Sequence, residues 1–226
     1  MCGIAGYTHV AGPAGSKSIQ RSVALMRHRG PDQQGIYESP SISLGAVRLK
    51  IIDLNGGDQP LFSDDRDTVV AFNGEIYNCA ELCEELGRCG HQFRSRCDTE
   101  VVLKAYLQWG RECLPRLRGM FALAIWKESE KRLLLARDRM GIKPLYFLRQ
   151  GEDLYFGSEL KTIFVHPEVP RRIDPIGLNY YLSLNYVPGP YTLADGIEKL
   201  RAGCWLEWRD GWIEGGEYWR LSIRPA

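Results

Sequence analysis

Gly119-Met120-Phe121-Ala122-Leu123-Ala124-Ile125-Trp126 opens the densest run of strand signals in the chain. Arg132-Leu133-Leu134-Leu135-Ala136, Leu145-Tyr146-Phe147 and Leu154-Tyr155-Phe156 follow at short intervals. Polar turns, among them Gly141-Ile142-Lys143-Pro144, separate these segments, and the spacing reads as an antiparallel meander whose neighbouring strands pair directly. A second group of strand signals lies upstream, at Cys2 to Thr8, Ile36 to Glu38, Ser41 to Leu54 and Thr68 to Phe72. Helical spacing fills the gaps. Ile19, Val23 and Met26 share one face of Ser16 to Met26, Leu82 and Leu86 are four apart in Asn78 to Leu86, and Val102, Ala105, Tyr106 and Trp109 line a helix that follows Asp98. Short helices are predicted over Ser158 to Phe164 and Asp174 to Leu184, and a final hairpin over Ala202 to Trp208 and Trp212 to Trp219 around Asp210-Gly211. Two groups of strands with helices between and around them predict an α+β fold, stacked antiparallel sheets covered by helices, rather than a doubly wound parallel sheet.

Composition narrows the function classes. The chain has 226 residues, 44% hydrophobic and 25% charged, which describes a folded protein with a substantial core. Its net charge of +1, with both signs interspersed, gives no electrostatic reason to expect nucleic acid or a membrane surface as partner. No apolar run reaches the roughly 20 residues of a membrane span and no signal peptide is apparent, so a cytoplasmic location is expected. The seven cysteines, at 2, 79, 83, 89, 97, 113 and 204, are odd in number and contain no C-x-x-C pair, which reads as reduced thiols rather than a disulfide framework or a zinc site.

Four places carry side chains with chemical potential, and each also has an ordinary structural explanation. Cys2 becomes the N-terminal residue once Met1 is removed and would then hold a thiol and an α-amine together. The amine, with a reference pKa of about 7.7 to 8.0, can serve as base to its own nucleophile; alternatively Cys2 is a buried strand residue. Arg48, entering a β-branched run, is an edge charge or an anion holder. Asn73-Gly74 is a hairpin turn, or a place where a side-chain amide and a bare backbone N–H are aimed at one point, as an oxyanion hole requires. Asp98 is a helix N-cap or a partner for an ammonium group. Together they supply what an amino-acid carboxamide needs: a nucleophile, oxyanion donors, a cation for the α-carboxylate and an anion for the α-ammonium.

The motifs Met1-Cys2-Gly3-Ile4-Ala5-Gly6, His28-Arg29-Gly30-Pro31-Asp32, Arg48-Leu49 with Ile51-Ile52-Asp53, Phe72-Asn73-Gly74-Glu75-Ile76-Tyr77-Asn78 and Asp98-Thr99-Glu100 resemble the glutaminase domain of glutamine-dependent asparagine synthetases. These enzymes are class II, N-terminal nucleophile, glutamine amidotransferases. Leu117 to Ala122, Ala136-Arg137-Asp138-Arg139, Gly141 to Tyr146 and Phe156 to Lys161 continue the resemblance across nearly the whole chain. It implies two stacked antiparallel sheets between helical layers, with residues 1–210 as the glutaminase domain and 211–226 as a C-terminal strand and the start of a linker to a synthetase domain. It implies Cys2 as nucleophile, Asn73 and Gly74 as oxyanion donors, Arg48 on the substrate carboxylate, and Asp98 with Glu75 on the α-ammonium. The segment Leu49, Lys50, Ile51 and Ile52 would line the pocket through its backbone. No cofactor is implied for this half reaction; ATP and Mg would belong to the synthetase domain, whose Ser-Gly-Gly-x-Asp-Ser loop does not occur here. The implied partners are L-glutamine and a synthetase domain or subunit that accepts ammonia, and a homodimer stays open. A different acceptor, or a non-catalytic regulatory module should Met1 be retained, are the alternatives.

Overall fold

The computed structural model describes residues 2–10, 17–51, 53–54 and 56–222. Strands β1 (Gly3–Thr8), β2 (Gln33–Glu38) and β3 (Ile42–Arg48) surround the first helix, α1 (Lys17–Leu25). After β4 (Leu61–Phe62) and β5 (Thr68–Ile76) come α2 (Cys79–Arg88), α3 (Asp98–Trp109) and a 3-10 helix (Gly110–Arg116). The strands β6 (Gly119–Lys127), β7 (Arg132–Arg137), β8 (Tyr146–Gln150) and β9 (Asp153–Gly157) follow. The chain continues through α4 (Leu160–Ile163), α5 (Pro175–Leu184), β10 (Glu198–Lys199), β11 (Cys204–Arg209) and β12 (Trp212–Glu217).

Among the described residues the strands form two six-stranded sheets, ordered β10-β8-β9-β1-β3-β2 and β12-β11-β7-β6-β5-β4. All pairings between these strands are antiparallel. Alternation of side chains along each strand gives each sheet two apolar faces. Ile4, Ile42, Leu44 and Ala46 of the first sheet meet Val69, Ala71, Ala122, Leu133 and Trp126 of the second in the central core. The outer face of the first sheet packs Ala5, Tyr7 and Val47 under Ile19, Val23 and Met26 of the α1 region. The outer face of the second is covered by α2 and α3 through Leu82, Leu86, Val102 and Tyr106. This is the expected helix-sheet-sheet-helix order. A Cβ on Gly45 would lie 2.4 Å from Val23 Cγ2, so α1 seats on β3 only because glycine stands there.

The structure departs from the sequence reading at three places that shape the site. The strand expected over Ser41 to Leu54 ends at Arg48, because the following residues turn to surround the Arg48 guanidinium, which donates to Gly56 O (2.5 Å) and Asp53 O (3.0 Å). Asn73-Gly74 forms no turn: β5 runs straight through it, with Asn73 opposite Ala122 and Gly74 opposite Phe121. The meander from Gly119 is also broken, since β6 and β7 belong to one sheet and β8 and β9 to the other. The chain crosses between sheets at residues 138–145. The final hairpin is as expected, with Asp210 (φ 45) and Gly211 (φ 84) at its turn.

Candidate active site

The parity of three strands brings the predicted side chains to one end of the sandwich. Ile4 in β1 and Ile42, Leu44 and Ala46 in β3 face the central core, so Cys2 and Arg48 continue the same faces one step further on. The register pairs Gly3 with Val47, which sets Cys2 beside Arg48. From the opposing sheet, Val69 and Ala71 face the same core, and Asn73 and Glu75 follow in alternation. Cys2, Arg48, Asn73, Gly74, Glu75 and Asp98 line one cavity of about 230 Å³. That is below the roughly 300–1,000 Å³ of sites for drug-sized ligands and suits a single amino acid.

Asn73 and Gly74 present donors by different means. The Asn73 side chain is 1% exposed, and neither Oδ1 nor Nδ2 has a hydrogen-bond partner among the described residues. An unpaired buried amide costs about 1–3 kcal/mol per group, a cost native proteins tolerate chiefly where function supplies the partner. The direction of the Gly74 N–H follows from the ladder. Its strand partner Phe121 donates to Asp138 Oδ2 and accepts from Asp138 N, so Phe121 turns its backbone groups to β7. Gly74 therefore turns its own N–H away from β6. In the same row Phe72 N–H donates to Gln59 Oε1 (2.7 Å) and Ile76 N–H to Asp98 Oδ2 (2.6 Å), which leaves the Gly74 N–H facing the cavity between them. A Cβ here would stand 2.3 Å from Met120 O, so glycine is required by close strand approach rather than by a positive φ.

The two residues expected to hold charged substituents are firmly anchored. Arg48 is 5% exposed and, besides its two loop carbonyls, lies 3.5 Å from Asp58 Oδ1. Asp53 keeps that loop closed, accepting from Gly56 N (2.8 Å) and Arg96 N (2.8 Å). Asp98 opens α3 instead of capping it; Cys97 holds the N-cap position. The carboxylate turns back across the sheet edge, accepting from Ile76 N–H through Oδ2 and from the Cys79 thiol through Oδ1 (3.1 Å). Burial first, and then Asp98 itself, push the Cys79 thiol far above its ordinary range, so it stays a donor. Asn78 is the N-cap of α2 but without a capping side chain, which binds Arg116 O and Arg118 N instead.

Of the segment after Arg48, Leu49 and Ile51 line the cavity, and Leu49 O lies 3.9 Å from Cys2 Sγ. Lys50 is not among the lining residues: its N–H donates to Asp32 Oδ2 (2.8 Å) and its ammonium pairs with Asp58 (2.9 Å). Ile52 and Met1 lie outside the described residues.

Comparison with known proteins identifies the family. Residues 1–219 match the family described as glutamine amidotransferase domain. The chain belongs to that family. It is 34% identical over 228 residues to asparagine synthetase [glutamine-hydrolyzing] 3 of Bacillus subtilis, covering 98% of this chain and 37% of that protein. It is 41% identical over 167 residues to asparagine synthetase B of Escherichia coli K12, covering 72% of this chain and 30% of that protein. The chain thus spans about a third of the length of these relatives. The solved glutamine phosphoribosylpyrophosphate amidotransferase of B. subtilis superposes with a TM-score of 0.72 at 18% identity, over 97% of this chain and 50% of that one, which shows the shared N-terminal nucleophile hydrolase fold.

This amidotransferase domain also places residues at the site that carry no signal in isolation. Arg29 donates from Nε to Cys2 O (2.9 Å) and from Nη1 to Glu159 Oε1 (3.1 Å), so it steadies the backbone of the cysteine. Burial alone would raise the Glu159 pKa, but hydrogen bonds from Lys161, Arg29 and His28 bring it below the usual carboxylate range and keep this anchor charged. Gln59 ties four segments together through Gln33, Phe72 and Thr99. Lys143 reaches the same cavity from the crossover between the sheets.

Proposed function

We propose that the domain hydrolyses L-glutamine to L-glutamate and ammonia through a Cys2 thioester, and supplies the ammonia to an ATP-dependent acceptor domain of the asparagine-synthetase type. The observation that carries this reading is the buried Asn73 amide with both polar atoms unpartnered among the described residues, in the same cavity as Cys2, Arg48 and Asp98. The relatives named asparagine synthetase support the choice of acceptor.

With Met1 removed, the α-amine of Cys2 takes the thiol proton as sulfur adds to the substrate Cδ. The carbonyl electron pair moves to oxygen, where Asn73 Nδ2 and the Gly74 N–H receive it. Collapse of the adduct breaks the C–N bond, and the amine returns the proton to the leaving nitrogen as ammonia. Water then adds to the thioester, its proton passing to the amine. The C–S bond breaks, glutamate leaves and the thiol is restored. Arg48 and Asp98, at the other end of the substrate, hold the α-carboxylate and α-ammonium so that the carboxamide meets sulfur rather than solvent.

Intact mass before and after a glutamine-analogue diazo-ketone tests the proposal. The expected result is a chain lacking methionine that gains one adduct, with no adduct on Cys2→Ala. A methionine-free chain that hydrolyses no glutamine and takes up no adduct would sink it.

A further inference from the structure

The proposed mechanism leaves Lys143 without a part, although the residue is 7% exposed and lines the glutamine cavity. Among the described residues no carboxylate lies within ion-pair distance of its ammonium. Burying a lone cation is costly unless an anion or a polar ligand meets it.

The crossover that carries Lys143 is built to hold it in place. Asp138, fully buried, accepts from Phe121 N (3.1 Å) and Lys143 N (2.9 Å) on Oδ2, and from Met140 N (3.0 Å) and Ile142 N (2.9 Å) on Oδ1. From the other side Arg137 donates to Lys143 O (2.7 Å), Gly141 O (2.6 Å) and Leu200 O (2.7 Å). Sheet order then says which end of the cavity the lysine serves. β1 lies between β3, which ends in Arg48, and β9, beyond which stands β8, the strand the crossover enters. Arg48 and the crossover that carries Lys143 therefore lie on opposite sides of β1, and both residues line the cavity with Cys2. The crossover also touches Phe121, the strand partner of Gly74. If Arg48 holds the α-carboxylate, Lys143 stands at the carboxamide end.

We propose that Lys143 is a specificity-determining cation at the carboxamide end, recognising the negative charge that appears there during the reaction. This deepens the glutaminase reading and rests on it. The substrate carboxamide is neutral, whereas the tetrahedral adduct and the γ-carboxylate of product glutamate are anionic. A fixed cation at that point adds little to glutamine binding and stabilises both later species. Lys143 thus raises kcat and makes glutamate a tight product inhibitor, while Arg48 and Asp98 treat glutamine and glutamate alike.

Glutaminase kinetics with and without added L-glutamate, on wild type, Lys143→Met and Lys143→Arg, test this. Lys143→Met is expected to weaken glutamate inhibition by about tenfold or more, the worth of one charge-assisted hydrogen bond, and to lower kcat with KM for glutamine changed less than about twofold. Lys143→Arg keeps most of the inhibition. An unchanged inhibition constant in a folded Lys143→Met overturns the proposal. So does a loss confined to glutamine KM. A second measurement needs no change at Lys143: calorimetry on Cys2→Ala should show glutamate binding more tightly than glutamine, and equal or weaker binding also overturns it. A wild type that hydrolyses glutamine but fails either test removes only the role of Lys143. One that binds neither amino acid removes the glutaminase reading as well.

Discussion

At the scale of single residues, the proposed mechanism separates binding from turnover, and this separation can be measured. Asn73 has no structural hydrogen bond to lose among the described residues, because both of its side-chain polar atoms are unpartnered. Its replacement should not disturb the fold through a broken network. Asn73→Ala is expected to lower kcat by about 10²–10³ with little change in KM, since the amide acts on charge that exists only in the adduct. Arg48→Ala should do the opposite in kind and raise KM, with an added structural cost because the loop carbonyls of Gly56 and Asp53 lose their donor. Steady-state kinetics on both variants check the contrast; equal loss in kcat for the two would remove the division of roles.

At the scale of elements, the crossover between the sheets hangs on one carboxylate. Asp138→Asn is nearly isosteric, yet each carboxylate oxygen receives two backbone N–H groups, so either orientation of the amide turns its own donors on two others. The expected destabilisation is about 2–4 kcal/mol, read from urea denaturation, with unchanged m-value. The reason this element was illegible in sequence is physical. Residues 119–157 have strand periodicity and short turns throughout, and periodicity reports which residues alternate but not which sheet a strand joins. Asn73-Gly74 misleads for a related reason, since Asn-Gly favours a turn locally while nine paired positions along β5 and β6 hold it extended. Cys2, Arg48 and Asp98 were legible only as a set with Asn73-Gly74 and through the family motifs around them, since each alone has an ordinary structural explanation. Gln59 and Lys143 were not: their burial depends on loops whose paths only the folded chain defines.

At the scale of the whole molecule, folding free energy is linked to pH through a histidine remote from the cavity. His166 is 2% exposed in the core between the first sheet and its helices, edge-on to Tyr7 (4.4 Å between ring centroids) and Tyr155 (4.7 Å). Nδ1 has no hydrogen-bond partner among the described residues; Glu168, whose carboxylate accepts from Tyr155 OH, lies 3.7 Å away. Burial lowers the His166 pKa from 6.5 to about 4, with Glu168 opposing the shift without cancelling it. The sign follows from proton uptake. Between pH 6.5 and 4 the unfolded chain binds this proton and the folded chain does not, so stability is retained above pH 6.5 and is lost as the pH falls toward 4. The loss from this one group should be about 2 kcal/mol between pH 7.5 and 4.5. Carboxylates such as Glu159, held below their ordinary range by hydrogen bonds, also lose stability in acid, so the wild-type slope alone cannot assign the effect. His166→Phe keeps an aromatic ring against the two tyrosines and removes the titration. Urea denaturation at both pH values should therefore show a smaller acid loss in the variant than in wild type, by about that amount. Equal losses would mean that His166 binds its proton equally well folded and unfolded and carries no linkage, whereas a larger acid loss in the variant would mean that His166 enters the core protonated, paired to Glu168, and would reverse the direction.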